Sequence, residues 1–107
     1  MSNNDFKVNK VAKTQARKLI AEIVNRYPGN VYFSVHAQEE MEKDDLTTVD
    51  IWNVLTSPDA IVIDEGELIN GSYRYRLETR FIMAVVAFHT KGDGFNIVTV
   101  WDKRIKE

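Results

Sequence analysis

The chain of 107 residues has no cysteine, which excludes a disulfide framework, a thiolate metal site and a cysteine nucleophile together. Histidine is almost as scarce. His36 and His89 are the only two, and neither stands at a metal-ligand spacing from the other, so no metal and no other cofactor is expected. Proline occurs twice and glycine five times, and no repeat or low-complexity linker divides the chain. Its length suits a single domain spanning residues 1–107. No run approaches the roughly 18 apolar residues of a membrane span, and residues 1–5 lack the apolar core of a signal peptide. The expectation is therefore a cytoplasmic protein without a membrane partner.

Charge of one sign is also lacking: the formal net charge is −2, so the global basic field of most nucleic-acid binders is missing. The charges are nevertheless unevenly placed. Residues 1–37 sum to +4, residues 38–67 to −9 and residues 68–107 to +3. A fold that brings the two basic regions together can hold an anion; charges dispersed over a wet surface are the plainer alternative.

Over residues 7–27, Val8, Val11, Ala12, Ala16, Leu19, Ile20, Ile23, Val24 and Tyr27 recur at steps of three and four, which predicts a helix with one apolar face. Lys10, Lys13 and Arg17 then fall on its wet side. Pro28-Gly29-Asn30 stops the helix, residues 31–33 read as a short β-favouring link, and Ser34 is placed to cap a second helix ending at Asp44-Asp45. Thr47 or Thr48 caps a third, which Ser57-Pro58 interrupts. After Pro58 the pattern turns to β-rich runs at 60–64, 72–78, 81–89 and 95–101. The third run is apolar at nearly every position and so belongs at the centre of the sheet. The predicted architecture is α+β, with N-terminal helices packed on a four-stranded antiparallel sheet.

Alternation in residues 73–78 puts Tyr73, Tyr75 and Leu77 on one face and Arg74, Arg76 and Glu78 on the other. Two guanidinium groups about 7 Å apart along a strand suit a phosphodiester; cross-strand ion pairs are the competing use. His36, at the start of the second helix, has the side chain best matched to proton transfer near neutral pH, although a lone histidine more often caps or packs. Trp101 offers an indole face for a base, or a core contact. The acidic run Glu39, Glu40, Glu42, Asp44 and Asp45 reads as a solvated face.

The combination Phe33-Ser34-Val35-His36-Ala37, a glutamate-rich helix, Leu46-Thr47-Thr48-Val49-Asp50-Ile51 and a proline break resembles the DUF4258 family of small bacterial proteins. Residues 73–77, 83–88 and 97–101 continue the match, which covers most of the chain after about residue 31. That family looks like a relative of RelE-type and motility-quorum-sensing-regulator-type toxins, mRNA-cleaving enzymes held inactive by a cognate antitoxin. The resemblance implies a RelE-like fold with helices followed by a curved antiparallel sheet, active residues on the sheet and near the C-terminus, and a lysine close to the position of Lys103. The chain departs from such toxins in the acidic residues 39–42 and in its overall acidity.

These readings combine into one expectation: a toxin of a bacterial toxin–antitoxin pair, a metal-independent endoribonuclease that cleaves mRNA. His36 would be the acid or base, Arg74 and Arg76 would stabilise charge on the phosphate with help from Lys103, and Tyr75, Trp101 and Arg104 would contact RNA. RNA and an antitoxin protein are the expected partners. The rivals are a non-catalytic protein-interaction module on the same sheet face and an antitoxin or immunity-like partner using the acidic segment.

Overall fold

The computed structural model describes residues 11–64, 68–69, 72–89 and 93–105. The apolar spacing of the first segment forms helix α1, Lys13–Arg26, which buries Ala16, Ile20, Ile23 and Val24 on one face. Its expected first turn at residues 7–10 lies outside the described residues, and Ala12 is extended and offers no side-chain cap. The helix ends where the Tyr27 N–H donates to Ile23 O and Pro28–Asn30 forms a single 3-10 turn.

Arg17 corrects the wet-side reading. Its Nη2 donates to Ser57 O at 2.7 Å and its Nε to Ala60 O at 3.1 Å, tying α1 to the loop after the third helix. Burial lowers its pKa from the ordinary arginine value, because desolvation disfavours the cation.

Val31–Phe33 is not a link but strand β1, paired in parallel with the last strand of the chain. Ser34 then caps helix α2, Val35–Lys43: its Oγ accepts the Ala37 N–H at 3.0 Å and donates to Val98 O at 3.2 Å. The helix stops in a Schellman turn. Asp45 takes a left-handed φ of 61°, its N–H donates to Glu42 O, and the Leu46 N–H donates to Met41 O, the pattern in which glycine is usual and an Asx residue tolerated. Helix α3, Thr48–Thr56, opens on a reciprocal capping box, with Thr47 Oγ1 accepting from Asp50 N and Asp50 Oδ2 from Thr47 N.

The remaining strands are β2 (Ile61–Asp64), β3 (Leu68–Ile69), β4 (Ser72–Glu78), β5 (Ile82–Phe88) and β6 (Phe95–Asp102). They form a sheet in the order β1-β6-β5-β4-β2, with β3 paired to β4 off this path. Strands β2, β4, β5 and β6 are antiparallel neighbours, as the four β-rich runs predicted. The parallel strand β1 makes the sheet mixed and the main path five strands long. The chain is thus α+β, with three α-helices among the described residues, and the apolar run of β5 is the middle strand.

Side α2 lies along the edge of β6 beyond the short β1. There the Val100 N–H donates to Glu40 Oε1 at 3.0 Å and the Asp102 N–H to Asp44 Oδ2 at 3.4 Å. Carboxylates take the place of a neighbouring strand, which covers an edge that would otherwise template pairing with another chain. Two of the five acids expected to be solvated therefore have structural partners.

Candidate functional site

The pleat separates the side chains of the sheet into two populations. Tyr75 and Leu77 of β4, Ala84 and Val86 of β5, and Ile97 and Val100 of β6 are buried in one cluster with the helix residues Ala16, Ile20, Ile51 and Leu55. Alternate residues point the other way, onto a face that no described helix covers. Met83 and Ala87 on that face are buried but stand apart from the helix-packed cluster.

Register aligns the open face into rows. Tyr32, Asn96, Ala87 and Arg74 are successive Cα partners across β1, β6, β5 and β4. Thr99, Val85, Arg76 and Asp64 form the next row, and Trp101, Met83, Glu78 and Ile61 the third. A bulge at Val98, where the register shifts between Val85 and Val86, keeps Thr99 and Trp101 on this side.

The first row carries an aromatic cluster. The rings of Tyr32 and His89 stack with centroids 5.6 Å apart and planes 24° apart, and His89 Nε2 lies 3.1 Å from Asn96 Oδ1. Tyr32 is 52% exposed. The cluster depends on Gly94: a Cβ there would lie 2.6 Å from Asn30 O and 2.8 Å from His89 Nδ1. Only a glycine lets the β5–β6 hairpin close against Asn30 and the imidazole.

Arg74 and Arg76 sit on the open face as the alternation predicted, and neither has an ion pair or hydrogen bond among the described residues. Arg76 is exposed, whereas the Arg74 Nε is shielded from solvent with no acceptor. A shielded guanidinium donor without a partner among the described residues is open to an incoming acceptor.

The other expected site residues are distributed differently. Lys103 Nζ pairs with Glu78 Oε1 at 3.1 Å and donates to Thr79 O at 3.0 Å, at the far end of the same face. Trp101, 43% exposed, lies in the third row. Arg104 forms a two-pronged pair with the buried carboxylate of Asp102, Nε to Oδ1 at 3.0 Å and Nη2 to Oδ2 at 2.9 Å. That pairing holds the Asp102 pKa below the ordinary carboxylate value against the opposing effect of burial, and raises that of Arg104. Tyr75 is on the helix-packed face, 1% exposed, with its hydroxyl bound to the backbone of Val11. Its ring therefore offers no surface to RNA.

His36 does not join the arginines. It lies on α2 with Nε2 3.2 Å from Glu40 Oε2, beside the β6 edge, and strands β6 and β5 separate that edge from β4. Two inter-strand spacings amount to about 10 Å, more than a single phosphate spans. The histidine on the arginine face is His89, which follows Ala87 by one pleat. Its place at a strand end gave little hint of this in sequence; the signal was its parity with Val85 and Ala87.

Among the described residues no group of three or more His, Asp or Glu side chains is arranged to hold a metal ion, and no helix is long and apolar enough to cross a membrane. Neither the curated proteins nor the solved structures include a match to this chain. A family model described as a domain of unknown function, DUF4258, matches residues 33–102. The match runs from the end of β1 through Asp102 and so takes in all of the open-face strands from β2 to β6; the chain belongs to the DUF4258 family.

Proposed function

We propose that the open sheet face binds single-stranded RNA and that the chain acts there as a metal-independent endoribonuclease, the RelE-like toxin of a toxin–antitoxin pair whose antitoxin covers the same face. The observation that carries this reading is the pair of guanidinium groups, Arg74 and Arg76, that have no ion pair among the described residues, on an open surface that also carries Tyr32, His89 and Trp101. Alternating aromatic faces and cations are what a flexible, single-stranded polymer needs: bases stack, and phosphates meet fixed donors. A basic total charge is not required when the positive groups are local.

The chemistry available to such a face is transesterification. The ribose 2′-oxygen attacks the adjacent phosphorus, the bond to the 5′-oxygen breaks, and a 2′,3′-cyclic phosphate and a 5′-hydroxyl result. Arg74 and Arg76 stabilise the charge that builds on the phosphoryl oxygens. Proton transfer at the 2′-hydroxyl is assigned to His89, the histidine on the arginine side of the sheet, one pleat beyond the row that holds Arg74.

One set of contacts favours the rival, a non-catalytic interaction module. Lys103 and Arg104 are engaged by Glu78 and Asp102, and His36 by Glu40, which removes three expected participants from the face. An antitoxin or immunity-like role draws less support, since Glu40 and Asp44 face β6 rather than a partner. Incubating purified protein with single-stranded RNA in EDTA separates these readings. Cleavage to cyclic-phosphate ends, lost in Arg76→Ala, is the expected result. Binding without cleavage leaves the interaction module, and cleavage that survives Arg74→Ala plus Arg76→Ala contradicts the assigned roles.

A further inference from the structure

A hollow of about 430 Å³ lies at the opposite end of the molecule from the Tyr32–His89 cluster, between α3, the β4–β5 turn and the C-terminal 3-10 turn Lys103–Ile105. This volume is of the size that holds a small organic molecule. Its apolar lining is Val54 and Ile82, both buried, with the 47% exposed ring of Phe81. The guanidinium carbons of Arg80 and Arg104 stand 5.3 and 5.6 Å from the centroid of that ring.

The hydrogen-bonding capacity around this lining is only partly used. Arg104 commits Nε and Nη2 to Asp102, which leaves Nη1 as a donor, and Arg80 makes no hydrogen bond or ion pair among the described residues. Asp50 and Asp59 line the same hollow. Asp50 uses Oδ2 on Thr47, so its Oδ1 remains an acceptor, and the Asp59 carboxylate accepts no bond among the described residues.

These groups select against simple ligands. A bare anion meets two carboxylates, a bare cation meets two guanidinium groups, and a purely apolar molecule uses none of the four. A flat body with acceptors along one edge and donors along another satisfies both sets. Guanine has this arrangement: O6 and N7 accept, while N1–H and the 2-amino group donate. Adenine reverses the polarity at position 6 and lacks the 2-amino group.

We infer that this hollow is a guanine-binding subsite, with Arg80 and Arg104 donating to O6 and N7, Asp59 accepting from N1–H and the 2-amino group, and the base lying against Phe81, Val54 and Ile82. The subsite lies at the α3 side of the sheet, apart from the open face, and it rests on the RNA reading only for the identity of the polymer that carries the guanine.

The test is a titration of the full chain with GMP and, separately, with AMP, followed by NMR of the Phe81 ring and the arginine side chains. GMP is expected to bind at least about tenfold more tightly than AMP, the discrimination of one good bidentate pair, with shifts centred on Phe81, Arg80 and Arg104. Arg80→Ala and Asp59→Asn, both at exposed positions, each weaken GMP binding by about tenfold with the circular dichroism unchanged. Arg74→Ala plus Arg76→Ala leaves it intact. Equal affinity for the two nucleotides, shifts confined to the open sheet face, or no shift at Phe81 up to nucleotide saturation overturns the inference. GMP selectivity that persists in a protein unable to bind RNA on its sheet sustains the subsite and refutes the sheet reading instead.

Discussion

One carboxylate oxygen of Glu40 accepts the Val100 N–H at 3.0 Å while the other lies 3.2 Å from His36 Nε2, so a helix side chain closes the exposed edge of β6 and orients a histidine at the same time. Glu40→Ala leaves the Val100 N–H without its acceptor and is expected to destabilise the fold by about 1–3 kcal/mol. Glu40→Gln keeps an acceptor and is expected to cost less. Urea unfolding of the two variants checks this; equal losses would mean that charge, not the edge hydrogen bond, is what Glu40 contributes.

Arg74 and Arg76 separate stability from binding. Arg74→Met removes an orphaned Nε from a shielded position and is expected to leave the unfolding midpoint unchanged or slightly raised, since a satisfied apolar side chain replaces an unsatisfied donor. For RNA, Arg74→Met and Arg76→Ala are each expected to weaken binding and to lower the slope of log K against log salt by about one. A marked loss of stability in Arg74→Met would show that the guanidinium has a structural partner.

The Asp102 carboxylate has a depressed pKa in the fold, principally through the Arg104 hydrogen bond. A carboxylate whose folded pKa lies below its unfolded value of about 3.9 contributes stability above that value and loses it as pH falls through the folded pKa. Asp102→Asn is therefore expected to be less stable than the parent at neutral pH, with the difference shrinking as the pH drops below about 4. A difference that stays constant into acid would place the cause in packing rather than charge.

Gly94 sits where an added Cβ meets backbone as well as a ring. Gly94→Ala is expected to destabilise by about 1–3 kcal/mol, as forced overpacking does, and to shift the His89 ring resonances, because His89 Nδ1 is one of the atoms displaced. Unperturbed His89 signals would mean that the hairpin yields instead of the ring.

Much of this organisation was readable in the residues. Ser34, and one of Thr47 and Thr48, declare helix starts through local hydrogen bonds that need no tertiary partner, and the apolar run of β5 announces a strand buried on both sides. The alternation in β4 placed both arginines correctly for the same reason: a pleat has a strict period of two. What sequence did not convey was long-range. Val31–Phe33 gives no local sign of pairing with Phe95, Asn96 and Ile97, and nothing in the acidic run distinguishes Glu40 and Asp44, which bond to β6, from Glu39 and Glu42. His36 stands at a helix start, from which a ring can project toward the sheet, and nothing local shows that Glu40 engages it instead. Nothing local distinguishes His89, because its neighbour across the hairpin, Asn96, and its stacking partner, Tyr32, come together only through the order of the strands.

The most direct measurement is an NMR titration of the chain with a short single-stranded RNA at low salt, mapping which side chains respond. Shifts clustered on Tyr32, Arg74, Arg76, His89 and Thr99, weakening as salt is raised and abolished by replacing both arginines, are the predicted result. Absence of binding at low salt, or a footprint confined to the exposed side of α1, would contradict the assignment of the open β-face as the working surface.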